Sequence, residues 1–291
     1  MQINNILVIG SGAMGSQIGM VAALAGYHTT IQDIAEESLA AARAQLSSRM
    51  DNSVAKGRMS REVADEALAR LHFTTSLEDG AANADYVIEA ATEKLEIKRA
   101  IFAALDVAAP THAILATNSS TLGSSKVASA TSRPSKVCNM HFFNPALVMK
   151  CVEVVRHEDT SQETIDTTME LARSMGKSPV LVNKEIPGFV ANRLMGALRD
   201  EALRLQEAGI ASIADIDTTA KTALGHPMGP FELMDLVGID VSYLIRMATF
   251  EETGDESDLP HPDVKALYEA GHLGKKSGRG WYAYDDSGAK K

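Results

Sequence analysis

A histidine in Met140-His141-Phe142-Phe143-Asn144-Pro145 and a carboxylate further on at Glu153, after Met149-Lys150-Cys151-Val152, are residue types that could do acid–base work together. Histidine accepts and returns a proton near neutral pH, and a buried carboxylate bonded to its other ring nitrogen would fix the tautomer and favour the imidazolium. The chain also carries Gly10-Ser11-Gly12-Ala13-Met14-Gly15, a spacing that suits a nucleotide pyrophosphate. A nucleotide binder with a proton partner is the set of parts that hydride chemistry requires.

Those parts need a scaffold, and the pattern around them supplies one. Ile6-Leu7-Val8-Ile9 reads as a buried strand running into the glycine turn, after which Ile18, Val21, Ala22 and Ala25 recur at helical spacing. Gly10 permits the turn, Gly12 lets the backbone approach a pyrophosphate, and Gly15 allows helix to pack on sheet. The helix N-terminus faces the phosphates, so Gly10, Gly12, Ala13, Met14 and Gly15 are the expected cofactor contacts. Gly26 closes the helix, Thr29-Thr30-Ile31 forms a second strand, and Asp33 ends it near the ~20-residue spacing of a ribose-binding acid. An acid there accepts both ribose hydroxyls and repels a 2′-phosphate, which predicts NAD over NADP.

From Glu36 to Leu71 the pattern turns helical, with one stripe at Leu39, Leu46, Met50 and Val54 and a second at Val63, Ala67, Leu68 and Leu71. Lys56-Gly57-Arg58 separates the two as the basic tip of a helical hairpin or, equally, a solvated turn. Strands resume at His72-Phe73-Thr74, Tyr86-Val87-Ile88-Glu89-Ala90 and Ala113-Ile114-Leu115-Ala116-Thr117, with a helix over 96–107 before the last. Ligands bind beyond the carboxyl ends of such strands, where Glu93, Lys98 and Asn118-Ser119-Ser120-Thr121 fall.

Taken together, the fingerprint, Ala90-Ala91-Thr92-Glu93, Asn118-Ser119-Ser120, the His141 motif, Met149-Lys150, Glu153 and Pro187-Gly188-Phe189-Val190-Ala191-Asn192-Arg193 resemble the L-3-hydroxyacyl-CoA dehydrogenase family over essentially the whole chain. The compact length is most similar to the bacterial 3-hydroxybutyryl-CoA dehydrogenases. The resemblance implies NAD-linked interconversion of a 3-hydroxyacyl-CoA and its 3-oxoacyl-CoA. It implies His141 as general base, Glu153 as its orienting partner, and Ser120 and Asn192 as contacts to the reacting oxygen. It further implies that Glu93, Lys98, Asn118, Ser120, Asn144 and Lys276 touch the cofactor, and that Lys56 approaches the CoA tail. From spacing alone, Lys98 and Lys276 read equally well as solvated surface charges. The turn reads Asn-Ser-Ser-Thr where the family commonly has Asn-Thr-Ser-Ser, which keeps Ser120 in register and leaves Ser119 or Thr121 as substitutes. Phe142 and Phe143 read as packing around the histidine.

Sheet character ends with Pro179-Val180-Leu181-Val182-Asn183, and Pro187-Gly188 precedes the helical pattern of Val190, Leu194, Leu198, Ala202 and Leu205. Further helices are expected over 213–224, 231–237 and 241–252. The expected architecture is α/β: a Rossmann-like, doubly wound, mostly parallel sheet with a helical-hairpin insertion over 1–186, then an all-α C-terminal domain over 187–291. The resemblance places the substrate cleft and a homodimer contact in that second domain. Three other readings compete. A free-acid 3-hydroxyacid dehydrogenase relies on a lysine catalyst, against which the His141/Glu153 pair argues. A hydroxy-sugar-acid (gulonate-type) dehydrogenase shares the histidine motif. A nucleotide-binding protein without chemistry would have no need of all four matched site positions.

The bulk properties fit such an enzyme. At 291 residues, 45% hydrophobic and 23% charged, the chain has the composition of a soluble globular protein of two domains. No apolar run approaches the ~18 residues of a membrane helix, and the start of the chain has neither a basic leader nor a cleavage site, so a cytoplasmic location is expected. Cys138 and Cys151 lack metal-ligand spacing and read as reduced buried thiols, with no metal expected. The net charge of −10 argues against nucleic-acid partners.

Overall fold

The computed structural model describes residues 2–291; Met1, where the sequence reading begins its first domain and its view of the chain start, lies outside the described residues, as does the side chain of Glu252. Two compact units divide the chain, Met1–Val190 and Ala191–Lys291.

In the first unit, β1 (Asn5–Ile9), α1 (Ala13–Leu24) and β2 (His28–Gln32) form the strand-turn-helix-strand start. The helices α2 (Glu36–Ala55) and α3 (Arg61–Ala69) are inserted before β3 (Leu71–Thr74). Then follow α4 (Leu77–Ala81), β4 (Tyr86–Glu89), α5 (Leu95–Ala108), β5 (Ile114–Thr117), α6 (Ser125–Ala128) and β6 (Val137–Phe142). The unit ends with β7 (Cys151–Val155), α7 (Gln162–Ser174) and β8 (Ser178–Val182). Among the described residues one sheet takes all eight strands in the order β3-β2-β1-β4-β5-β6-β7-β8. Its order reverses between β1 and β4, the switch point where open α/β sheets receive nucleotides.

Strand alternation builds the two faces of this sheet. Ile6, Val8, Ile88, Ala116, Met140 and Val152 join the core on one face, packed with α1, α2 and α7 residues such as Ile18, Leu46 and Leu171. Leu7, Ile9, Val87, Leu115 and Val137 join the other, with Phe102 and Leu105 of α5. Full burial of a side chain such as Phe102 contributes on the order of 1.5–3 kcal/mol. Among the described residues β6 and β7 form the one antiparallel pair of the sheet. The linking residues 143–150 are shorter than the roughly dozen residues a parallel crossover needs.

The inserted hairpin differs in detail from its sequence pattern. Ser60 caps α3 by accepting from Val63 N, which turns Val63 outward and buries Ala64 with Ala67 instead. Leu71 opens β3 rather than closing the helix.

The second unit is helical: α8 (Ala191–Glu207), α9 (Ile213–Ala223), α10 (Pro230–Val237), α11 (Ile239–Thr253) and α12 (Pro262–Glu269). Its core gathers Ala202, Leu203, Ile216, Phe231, Met234, Ile239 and Val264. The last residues form short β-bridges instead of a helix. Buried Asp235 fastens them, its carboxylate accepting from the backbone N–H groups of Trp281 and Tyr282 and from the Tyr284 hydroxyl. Among the described residues no helix is long and apolar enough to cross a membrane.

Candidate active site

The glycine turn has the geometry its spacing asks for. Gly10 sits at φ +95°, and a Cβ there would lie 2.7 Å from Ala90 O and Ala91 Cα. At Gly15 a Cβ would lie 1.9 Å from the backbone oxygen of Gly10, so helix and turn meet only because Gly15 lacks a side chain. Gly12 is exposed, with nothing within 4 Å of the place a Cβ would take. It caps α1 without a side-chain hydrogen bond, so the first-turn amides, including those near Ala13 and Met14, suit phosphate oxygens. These residues fit a dinucleotide pyrophosphate.

Asp33 follows β2 and does more than the sequence reading asked of it. Its Oδ2 accepts from both the backbone N–H and the hydroxyl of Ser11, each at 2.8 Å, and Oδ1 accepts from Ala35 N. Burial pushes its pKa up, but the Ser11 and Ala35 hydrogen bonds outweigh that and hold it below the usual carboxylate range. The acid is therefore an anion that braces the glycine turn.

Beyond β4 and β5 a buried network appears. Lys98 is 1% exposed, with Nζ 2.6 Å from Oε2 of Glu89, itself fully buried. Thr117 donates to the same oxygen, and Ala91 N donates to Oε1 of Glu89. Glu93 accepts from the Ser119 hydroxyl at 2.6 Å and lies 4.0 Å from Lys98 Nζ. This corrects the reading of Lys98 as a solvated surface charge: helix α5 turns it inward onto the end of β4, where a buried cation needs a buried anion. Glu89, which the sequence reading treated only as strand, is that anion.

The serine turn can now be read atom by atom. The Ser119 hydroxyl is committed to Glu93 and to the backbone N–H of Leu122. Asn118 Oδ1 accepts from Phe142 N, joining the ends of β5 and β6. Buried Asn139 accepts from Ser124 N and donates to Leu122 O, closing the turn from below. Ser120 is half-buried and Thr121 exposed.

His141 and Glu153 face each other directly across the antiparallel β6/β7 pair. Nδ1 of His141 lies 3.0 Å from Oε2 of Glu153, with the residues 5% and 1% exposed. A one-residue register slip would send the two side chains to opposite faces of the sheet. Oε1 of Glu153 accepts from Val190 N at 3.0 Å. The imidazole packs between Phe143, with ring centroids 4.5 Å apart, and Phe189, at 5.7 Å. Phe142 is buried in the core on the opposite face. Phe189 holds φ +45°, a left-handed conformation uncommon for a non-glycine residue. Asn144 is exposed at the start of the β6–β7 connection.

In the second unit, Asn192 is half-buried in the first turn of α8. Lys276 donates to Asp240 Oδ2 at 2.7 Å and remains about half exposed, with its side chain at 47%. Lys56, at the end of α2, is exposed. Cys138 is buried and Cys151 half-buried, both as free thiols. Among the described residues no cluster of His, Cys, Asp and Glu could hold a metal.

Residues 5–186 match the family model of the 3-hydroxyacyl-CoA dehydrogenase NAD binding domain, and residues 188–284 match that of the 3-hydroxyacyl-CoA dehydrogenase C-terminal domain. The chain belongs to the 3-hydroxyacyl-CoA dehydrogenase family. It is 39% identical over 286 residues to a probable 3-hydroxybutyryl-CoA dehydrogenase of Bacillus subtilis, covering 98% of this chain and 99% of that one. The crystal structure of M. tuberculosis FadB2 is similar with a TM-score of 0.88 and 39% identity, over 98% of this chain and 100% of that one. That of (S)-3-hydroxybutyryl-CoA dehydrogenase PaaH1 from Ralstonia eutropha is similar with a TM-score of 0.89 and 34% identity, over 98% and 100%. In this family setting the first unit is an NAD-binding domain and the chain is an NAD-dependent oxidoreductase.

Proposed function

We propose that the chain interconverts (3S)-3-hydroxyacyl-CoA and 3-oxoacyl-CoA with NAD, on short chains such as 3-hydroxybutyryl-CoA and acetoacetyl-CoA. The observation that carries this reading is the buried His141–Glu153 pair, on a strand whose end Asn118 ties to the serine turn, in a family of 3-hydroxyacyl-CoA dehydrogenases.

With Nδ1–H donated to Glu153, the neutral ring of His141 presents its lone pair at Nε2. In oxidation Nε2 takes the hydroxyl proton of the substrate as the carbonyl forms. Bound NAD supplies the acceptor for the hydride, and NADH its donor in the reverse direction. Positive charge then develops on the imidazole against the Glu153 carboxylate, which Val190 N–H keeps in place. In reduction the imidazolium returns the proton to the oxygen, and donors from Ser120 and Asn192 stabilise the charge building there. The Ser119 hydroxyl is already committed within the turn, which favours Ser120 for this role. Around the cofactor we assign Gly10, Gly12, Ala13, Met14 and Gly15 to the pyrophosphate and Asp33 to the adenosine ribose. Glu93, Asn118, Ser120, Asn144 and Lys276 serve its remainder, while Lys98, buried against Glu89, supports that site from beneath rather than by direct contact.

The test is loss of NADH absorbance on adding acetoacetyl-CoA, set beside free acetoacetate and NADPH. Oxidation confined to NADH and the thioester is expected. Silence with the thioester, or equal rates with NADPH, would refute the corresponding half of the reading.

The helical hairpin offers the CoA tail a cation at Lys56. Lys56→Glu is expected to raise the KM for acetoacetyl-CoA several-fold while leaving kcat unchanged, the pattern of binding that ground and transition states share. An unchanged KM would assign the hairpin tip to solvent. We further propose a cytoplasmic homodimer paired through the helical unit, with the domain boundary in the chain at 186/187. Leu194, Ile210, Leu224, Leu244 and Ile245 are apolar and exposed on that unit, as a buried contact between copies would require.

A further inference from the structure

Residues 185–190, Glu-Ile-Pro-Gly-Phe-Val, leave β8 and lead into α8. They make three contacts with the site. Glu185 Oε1 accepts from the Ser124 hydroxyl at 2.8 Å and from Ser125 N at 2.9 Å, while Oε2 accepts from the Ser125 hydroxyl. Phe189, 1% exposed and at φ +45°, lays its ring against His141. Val190 N donates to Glu153. Ser124, just past the serine turn, is thus held from two sides, by Asn139 within the sheet and by Glu185 of segment 185–190.

The sequence makes room for this contact. A Cβ on Gly123 would lie 2.5 Å from a carboxylate oxygen of Glu185, and Gly123 is not at a positive φ that would by itself demand glycine. Glycine at 123 is explained by the carboxylate it leaves space for. A carboxylate suits the position because it accepts from all three donors without presenting a donor of its own.

We infer that Glu185 is a positioning residue of the reaction: it latches segment 185–190 onto Ser124 and Ser125, which follow directly on the serine turn, and that segment sets His141 and Glu153 through the Phe189 ring and Val190 N–H. Serine turn and acid–base pair are thereby fixed relative to one another by a single piece of chain. The inference rests on the proposed reading for its effect on turnover, but the latch is measurable without substrate.

The test is a double-mutant cycle between Glu185→Ala and Gly123→Ala, with Glu185→Gln as the conservative variant. Glu185→Ala is expected to lower kcat for acetoacetyl-CoA reduction by about 10-fold to 10²-fold, the scale of a catalytic group displaced by about an ångström. NADH affinity should fall by much less than kcat, and Glu185→Gln, which keeps an acceptor oxygen, should recover part of the loss. Gly123→Ala should impair the wild type yet add nothing in the Glu185→Ala background, because the atoms it collides with are gone. Hydrogen exchange of the unliganded protein should show lost protection in Glu185→Ala both over 119–125 and over 186–190. Additive losses, or exchange that rises only over 119–125, would overturn the latch. So would an unchanged kcat beside a weakened NADH affinity. A wild type inactive on acetoacetyl-CoA would count against the functional reading alone, and the exchange pattern would still decide the latch.

Discussion

His141→Gln is expected to abolish turnover of acetoacetyl-CoA while leaving NADH binding intact. Glutamine keeps much of the volume between Phe143 and Phe189, and its amide can still donate toward Glu153, so the packing of β6 against β7 has no reason to change. It cannot take up and return a proton near neutral pH. A positioned general base is typically worth ~10²–10⁴-fold in rate, and the loss in kcat should be at least of that order. The nucleotide turn lies at the β1/β4 switch point, built from Gly10, Gly15 and Asp33, none of which touches His141. A fluorescence titration with NADH should therefore give the wild-type affinity. Wild-type kcat in the variant would remove His141 from the mechanism, and lost NADH binding would mean that its role is in the fold.

The sequence makes some of this visible and hides the rest for identifiable reasons. The nucleotide turn is legible because every requirement is local: strand, Gly10, Gly12, Gly15, helix, strand and Asp33 follow within one β-α-β unit. The His141–Glu153 pair is not local in the same sense. Its geometry depends on β7 reversing against β6 in one register, which no periodicity announces; the residue types suggest the pair, and the family resemblance supplies the roles. Lys98 shows the same limit more sharply. Its helix α5 has exposed neighbours at Glu96 and Ile97, and nothing in their pattern says that this lysine points inward to Glu89. Strand β4 offers a signal in hindsight, since Glu89 is an acid at the end of an otherwise apolar run, Tyr86-Val87-Ile88. Helix α7 and the roles of Ser11, Asn139 and Glu185 also escape the sequence reading. Each of these three polar residues acts through hydrogen bonds to residues between 15 and 61 positions away.

Lys98→Met should be the most damaging single change to the stability of the first unit. Lys98 and Glu89 are essentially without solvent, and removing the cation leaves a carboxylate with no water to replace it. Breaking one side of a buried ion pair costs about 3–5 kcal/mol, whereas removing both charges together is often close to neutral. Thr117 and Ala91 N would remain as donors to Glu89, but two neutral hydrogen bonds do not balance a buried negative charge. The double variant Lys98→Met/Glu89→Gln is therefore expected to recover most of the loss, its amide oxygen still accepting from Ala91 N. The difference can be measured by chemical denaturation followed by circular dichroism. Ala91 also abuts Gly10 of the phosphate turn, so the single variant should weaken NADH binding and the double should restore part of it. A double variant no more stable than the single would mean that the cost of Lys98→Met is lost packing of a long buried stem. In that case the Glu89 charge would be tolerated by Thr117 and Ala91 alone, and the pair would be an accident of packing rather than the support for the end of β4.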